Sequence, residues 1–455
     1  MKDMKDMNSA EDNYSRGLGH LKNKNNKKAI VEFNRAIACR PEHAEAYAKR
    51  GMAYAGNENY TQAFSDFNQA LILNPNYAEG YISRGSLFME RKEFERAVED
   101  YTKAMTLTPN NVGLYVKLST AYCRVQNYDK ALAIMESAFK VSPHDEEVYI
   151  NYGIIHAMKQ NYEEAIGCFN KAMGLNPKSA YIWYIRGFAY YCNDDYKKAV
   201  DDFSESIKLY PSNPDPYNRR GNAYAMIDEL EKAVEDYTKA IRLNPNFADA
   251  YYNRGNAHAR GGNYERAILD HTKAIRLSPD SSDIYYNRGN TYSAQGEYGK
   301  AVADFNRTLE LDPEYTGVYY NRGNAYYAQG EYGKAAEDFT RMLSFHTDDP
   351  EIYYARGNAY GRIGDHRAAA EDFTSAIALN PEYAEAYCKR GVAYFELGER
   401  EQAALEFTQA ITLNPDYAEA YSKRGDVYAL NGDYEQALAD YNQALLPAAG
   451  MFEVS

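Results

Sequence analysis

The chain is poor in the residues on which most enzyme chemistry depends. Its 455 residues hold one tryptophan, eight histidines and five cysteines. The cysteines (Cys39, Cys123, Cys168, Cys192 and Cys388) are odd in number and scattered, without the spacing of a metal site or a disulfide framework. They read as reduced, small apolar residues of a cytoplasmic protein. No segment approaches the roughly 20 apolar residues of a membrane-spanning helix. Met1–Ser9 is charged and lacks the apolar stretch of a secretory leader. No strand alternation appears, and no Ser/His/Asp set, phosphate-cradling glycine loop or carboxylate pair stands apart from the pattern below. A net charge of −14 argues against general affinity for nucleic acid or anionic membrane. No cofactor is expected and no enzyme is read.

Proline is also scarce, 15 in all, and its placement is the main signal. Pro41, Pro75, Pro109, Pro143, Pro177, Pro211, Pro245, Pro279, Pro313, Pro381 and Pro415 lie on one 34-residue grid, whose single gap is filled by Thr347. A fixed period of this kind marks a stack of supersecondary units, none of which can bury its apolar face alone. With the grid proline as position 32, thirteen repeats start at residues 10, 44, 78, 112, 146, 180, 214, 248, 282, 316, 350, 384 and 418. Position 20 is always alanine, and position 8 is glycine except at Ser119. Position 4 is tyrosine apart from Asn13 and Trp183, position 11 is mostly tyrosine, position 24 is usually aromatic and position 27 usually alanine. Positions 4, 8 and 11 share one helical face and 20, 24 and 27 another. Large rings opposite glycine and alanine let the two helices approach closely. The proline closes each repeat, because it cannot continue one helix and suits the start of the next.

Over residues 10–451 this pattern closely resembles the tetratricopeptide repeat family, whose Trp/Tyr, Gly, Tyr, Ala, Phe/Tyr, Ala and Pro positions recur in nearly every repeat. The resemblance implies an all-α, right-handed superhelical solenoid of antiparallel helix pairs, with each first helix lining a concave groove. The expected organisation is a tail at 1–9, diverged repeats 1–6 at 10–213, more regular repeats 7–13 at 214–451, and a tail at 452–455. Pro211-Ser-Asn-Pro-Asp-Pro216 marks the division between the two sets, or merely a stiffened turn.

Position 7 is arginine in eleven repeats, from Arg16 to Arg424, and position 23 of those same repeats is always acidic. Repeats 4 and 5 lack both, pairing Leu118 with Ile134 and Tyr152 with Cys168. Pairing within a repeat accounts for all thirteen cases, whereas pairing with the next repeat fails twice. A partly buried, bidentate bridge between the two helices of each repeat is expected.

Positions 5, 6 and 9 face away from the packed side of the first helix. In repeats 7–11 position 9 is asparagine without a break: Asn222, Asn256, Asn290, Asn324 and Asn358. Position 6 adds Asn253, Asn287 and Asn321, and position 5 adds Tyr252, Tyr286, Tyr320 and Tyr354. An amide side chain offers a donor and an acceptor, which suits an extended peptide backbone, and a tyrosine rim adds contact area with a polar tip. The run looks like the asparagine ladder in the repeat arm of O-linked N-acetylglucosamine transferases, which holds peptide by its backbone. It is equally what recent duplication of one repeat leaves on a surface. The lysines of the family's chaperone-tail clamp are missing, since position 5 never carries lysine.

Leu438, Tyr441, Leu445 and Leu446 end the last repeat with no polar helix to cover them, so self-association or docking is expected there. His258 and His271 sit at positions 11 and 24 of repeat 8, in place of the usual aromatics. The function expected is a non-enzymatic scaffold that binds an extended segment of a partner protein. The alternative is the recruitment arm of a larger enzyme or complex, such as a glycosyltransferase-like assembly.

Overall fold

The structure, a computed structural model, describes residues 2–445 of the chain. Its 26 helices pair off as first and second helix of each repeat, from Lys2–Lys22 and Asn26–Cys39 to Ala418–Asn431 and Tyr434–Ala444. No strand occurs among the described residues. Two compact halves, Met1–Ile227 and Asp228–Ser455, divide the chain in the turn between the two helices of repeat 7.

Twelve of the thirteen repeats pack around one ring at position 24. Phe33, Phe67, Phe203, Phe305, Phe339 and Phe407, all at position 24, are fully buried beside the position-20 alanines. The opposing glycine explains itself by distance. A Cβ on any of eleven position-8 glycines, from Gly17 to Gly425, would lie 2.5–3.1 Å from atoms of the position-24 side chain. The lone serine follows the same rule: Ser119 stands opposite Met135, which is buried but carries no ring.

The grid prolines stop helices rather than start them. Helix Asn26–Cys39 ends at the C-cap Arg40, Pro41 follows, and the next helix begins only at Ala44. Off-grid Pro214 and Pro350 are the ones that open helices, in the first turn where no amide donor is needed. The expectation that a grid proline suits the next helix's start is therefore corrected. At Pro109, Pro143, Pro177 and Pro211 the carbonyl receives a hydrogen bond from the position-4 side chain six residues on, as from Tyr115 Oη (2.9 Å) and Trp183 Nε1 (3.1 Å).

The expected ion pair is present and does more than expected. In nine repeats the arginine Nε and Nη2 donate to the carboxylate 16 residues on, at 2.6–3.0 Å. The arginine side chains are 13–21% exposed and the acids 5–10%. Ten arginines also donate Nη1 to the residue 16 positions earlier, on the second helix of the preceding repeat, at 2.6–3.1 Å. One guanidinium thus ties together three helices. Arg288 is typical: it joins Asp304 (2.7 Å twice) and Thr272 (3.0 Å), with Tyr285 and Tyr292 each 5.8 Å away.

Repeat 1 is the exception. Arg16 is exposed, and Glu32 pairs with Arg35 at 2.6 Å while its Oε2 stays buried without a partner. Among the described residues the bridge expected at Arg16 does not form.

Breaking such a half-buried pair strands a charge, whereas replacing both partners by apolar groups does not. Arg288→Leu alone should cost roughly 3–5 kcal/mol in chemical denaturation. Arg288→Leu with Asp304→Ile should recover most of that loss, as a double-mutant cycle will read directly. Thr272→Val removes only the inter-repeat bond and should cost about 1 kcal/mol. Additive losses in the double variant would refute the coupling.

Candidate functional site

The first helices of repeats 8–11 (Ala248–Arg260, Ser282–Ala294, Gly317–Ala328 and Pro350–Ile363) carry eleven of the twelve candidate residues in the second half. Asn222, on Pro214–Met226, belongs to the first half. The amides are not independent of one another. Asn287 Nδ2 donates to Tyr252 Oη of the preceding repeat (2.9 Å) and to the Asp283 carbonyl (2.9 Å). Asn321 repeats the first contact one period on, with Tyr286 Oη (2.8 Å), and donates to Asn290 Oδ1 (2.9 Å). A position-6 amide is therefore clamped by position 5 or 9 of the repeat before it.

The tyrosines differ from the expected rim. Their rings lean inward on the position-24 side chains: Tyr286 on Phe305 (6.0 Å), Tyr320 on Phe339 (5.9 Å) and Tyr354 on Phe373 (5.8 Å). They serve the core with their faces and the amide row with their hydroxyls. Burial pushes the Tyr252 and Tyr354 hydroxyls up, while the amides of Asn256 and Asn358 pull the other way, so both stay protonated donors.

Hydrogen-bond accounting shows what the row still offers. Among the described residues, Asn290 Nδ2 and the Oδ1 atoms of Asn287 and Asn321 take no part in the bonds above, and Asn324 is exposed. Donors and acceptors alternate in kind, as a peptide backbone requires. A recess of about 490 Å³ opens here, lined by Asn256, Asn287, Asn290, Thr291, Ala259 and Ala294. Ala259 at position 12 of repeat 8 and Ala294 at position 13 of repeat 9 leave room, and Arg260 and Tyr264 complete the wall.

Acids at position 2 are held by the array itself. Asp283 accepts from Tyr315 Oη (3.0 Å), Glu351 from Tyr383 Oη (2.8 Å) and Glu419 from Lys389 Nζ (2.7 Å). Burial, and then the carboxylate partner, pushes the Tyr315 and Tyr383 hydroxyls far up. Within the ion pairs, burial pushes the Asp338 and Asp372 carboxyls up against the pull of Arg322 and Arg356.

Sequence reasoning missed a link from core to groove. Where position 24 has a polar tip it reaches position 9 of the same repeat: Tyr101 with Ser86 (3.0 Å), His271 with Asn256 (3.0 Å) and Tyr441 with Asp426 (3.0 Å). Asn256 therefore accepts a bond from a fully buried imidazole. His258 turns instead toward Asp270, 4.0 Å away. Among the described residues no group of three or more His, Cys, Asp or Glu is placed to hold a metal, and no helix is long and apolar enough to cross a membrane. All five cysteines are free, and burial pushes the Cys388 thiol up to about 12.

Helix pairs of one length, stacked through repeat-to-repeat contacts, make the chain a helical-repeat protein. Profiles described as TPR repeat match residues 227–262, 289–330, 323–364, 363–398 and 393–432. Profiles described as tetratricopeptide repeat match 44–77, 78–111, 124–187, 180–213, 248–281 and 272–303. The chain belongs to the tetratricopeptide repeat family, and its array is a protein-interaction scaffold. Among solved structures it is similar to MamA, at 29% identity over 34% of this chain and 92% of that one, with TM-score 0.33. YrrB, titled a TPR protein with an unusual peptide-binding site, matches at 23% identity over 40% and 95%, with TM-score 0.35. A tetratricopeptide repeat protein from Parabacteroides merdae matches at 20% identity over 55% and 98%, with TM-score 0.45. No curated protein matches the chain.

His271 makes stability depend on pH. Burial, with a smaller contribution from Arg288, pulls its pKa down to about 4. Between that value and the ordinary 6.5 the unfolded chain binds the proton and the folded chain does not, so stability falls as pH falls. His271→Phe, the side chain used in the next repeats, removes this effect. The stability gap between wild type and variant should shift by about 2 kcal/mol in the variant's favour between pH 7 and pH 5. Urea denaturation at the two pH values measures it; a constant gap would mean the imidazole is solvated.

Proposed function

We propose that the chain is a non-catalytic scaffold that holds an extended segment of a partner protein by its backbone. The segment lies along Asn287, Asn290, Asn321 and Asn324, bordered by Asn253, Asn256 and Asn358 and by the hydroxyls of Tyr252, Tyr286, Tyr320 and Tyr354. The observation that carries this reading is the clamped amide pair Asn321–Asn290. Each of these side chains spends part of its capacity fixing its neighbour, so the remaining donor and acceptor are already oriented. That orientation removes side-chain entropy from the cost of binding. A surface filled only by duplication has no need of it.

Linear peptides selected from a random library on the full chain should therefore tolerate most side-chain changes. Asn290→Ala with Asn324→Ala should weaken binding by about 1–3 kcal/mol, at roughly 0.5–1.5 per hydrogen bond, with little dependence on salt. Asn256 is left intact in this test, because removing it would strand the His271 N–H. Titration calorimetry reads the loss, and unchanged affinity would return the amides to surface filling.

A second contact is proposed at the last repeat, where Leu438 is 62% and Leu445 81% exposed. Leu446 and the expected tail at 452–455 lie outside the described residues. Exposed apolar faces of this kind associate, so sedimentation should show concentration-dependent assembly of the chain that Leu438→Lys reduces. A monomer at every concentration would remove this contact.

A further inference from the structure

Gly361 has no structural reason to be glycine. It lies inside the helix Pro350–Ile363, where glycine weakens the helix relative to alanine. Its backbone needs no left-handed conformation; that belongs to the C-cap Gly364, with φ 93°. A Cβ at residue 361 would meet nothing within 4 Å, unlike one at Gly357, which would press on Phe373 at 2.9 Å. Position 12 carries a ring in the repeats on either side, Tyr327 before and Phe395 after. At repeat 11 the ring is missing and a pocket of about 500 Å³ takes its place, lined by Tyr327, Tyr354, Gly361, Phe373, Val392 and Ala393.

The two fixed cations of this pocket are already committed. Arg362 donates to Tyr332 Oη at 2.6 Å and lies 4.9 Å from that ring, and Lys389 is paired with Glu419 at 2.7 Å. The exposed Glu396 at the edge repels an acidic occupant. What remains is a recess between two tyrosines, roomy enough for a ring, with Phe373, Val392 and Ala393 on its apolar side for edge or face packing and Asn358 and His366 on its polar side.

We infer that this pocket is an anchor site for one aromatic side chain of the bound segment. This rests on the groove reading above, which supplies the chain that carries the ring. The amide row contributes contacts indifferent to sequence, and the pocket adds the position at which sequence is read.

The test uses the full chain and small probes, so that it is independent of Asn290 and Asn324, which do not line the pocket. N-acetyl-L-tryptophan amide, N-acetyl-L-leucine amide and N-acetyl-L-lysine amide are titrated separately while the methyl signals of Val392 and Ala393 are followed by NMR. The tryptophan probe should give saturable shifts in the millimolar range, with the leucine and lysine probes weaker. Gly361→Leu fills the open space without a clash and should weaken the tryptophan probe about tenfold or more, with the melting temperature not lowered. Asn290→Ala with Asn324→Ala should leave the probe's binding unchanged. Absent shifts, shifts that persist in Gly361→Leu, or a preference for leucine or lysine would overturn the anchor site. Loss of peptide binding in the asparagine variant with the probe unaffected supports both readings. Probe binding with no effect of the asparagines on peptide leaves the pocket standing and removes the row.

Discussion

In ten of the thirteen repeats the stacking hangs on the guanidinium at position 7. A helix pair of 34 residues buries one ring against one glycine, which is too little apolar surface for independent stability. Hydrophobic contact between repeats is non-directional and cannot by itself fix how far one pair slides along the next. The arginine supplies that direction, because its planar fork demands a carboxylate on one side while its third nitrogen demands an acceptor on the other. Arg322, with Asp338 and Asn306 in hand, holds second helices from two repeats at one distance. Repeats 4 and 5 show the alternative, with Leu118 and Tyr152 packing where the fork would be.

The candidate site grows out of the same packing. A tyrosine at position 5 rests on the buried ring of its own repeat and turns its hydroxyl to the amide of the next. The groove is thereby stiffened from beneath, and its amides are presented as part of the helix stack rather than as loose surface groups. His271 carries this furthest, since a core side chain directly bonds a groove amide.

The helix pairs and, outside repeat 1, the ion pairs were legible because each is written many times over in register. Co-occurrence of positions 7 and 23 identified the bridge, and the two repeats lacking both residues acted as controls. The third arginine contact was also written there: position 25 is small and polar before every clasped arginine, and becomes Glu136 before Tyr152. It escaped notice because asparagine, serine and threonine vary freely along the surface of a helix. The inward lean of the tyrosines was not legible, since periodicity assigns a face but not a rotamer. The missing ring at Gly361 was hidden for a different reason. Position 12 ranges from alanine, serine and cysteine to leucine, methionine, phenylalanine and tyrosine, so one glycine there breaks no rule that sequence alone can state.

The residue closing the turn between paired helices changes along the chain. In repeats 1–7 it is Lys24, Glu58, Lys92, Gln126, Gln160, Asp194 and Asp228, all at positive φ, and in repeats 8–13 it is always glycine. A side chain in the left-handed region strains each early turn, and glycine relieves that strain in every later one. The first seven repeats and the last six therefore carry the same architecture on differently tensioned joints. Under heat or load the early hairpins have stored energy to release and the later ones have none, so the array should fray along its length with a polarity that its nearly uniform helices do not suggest.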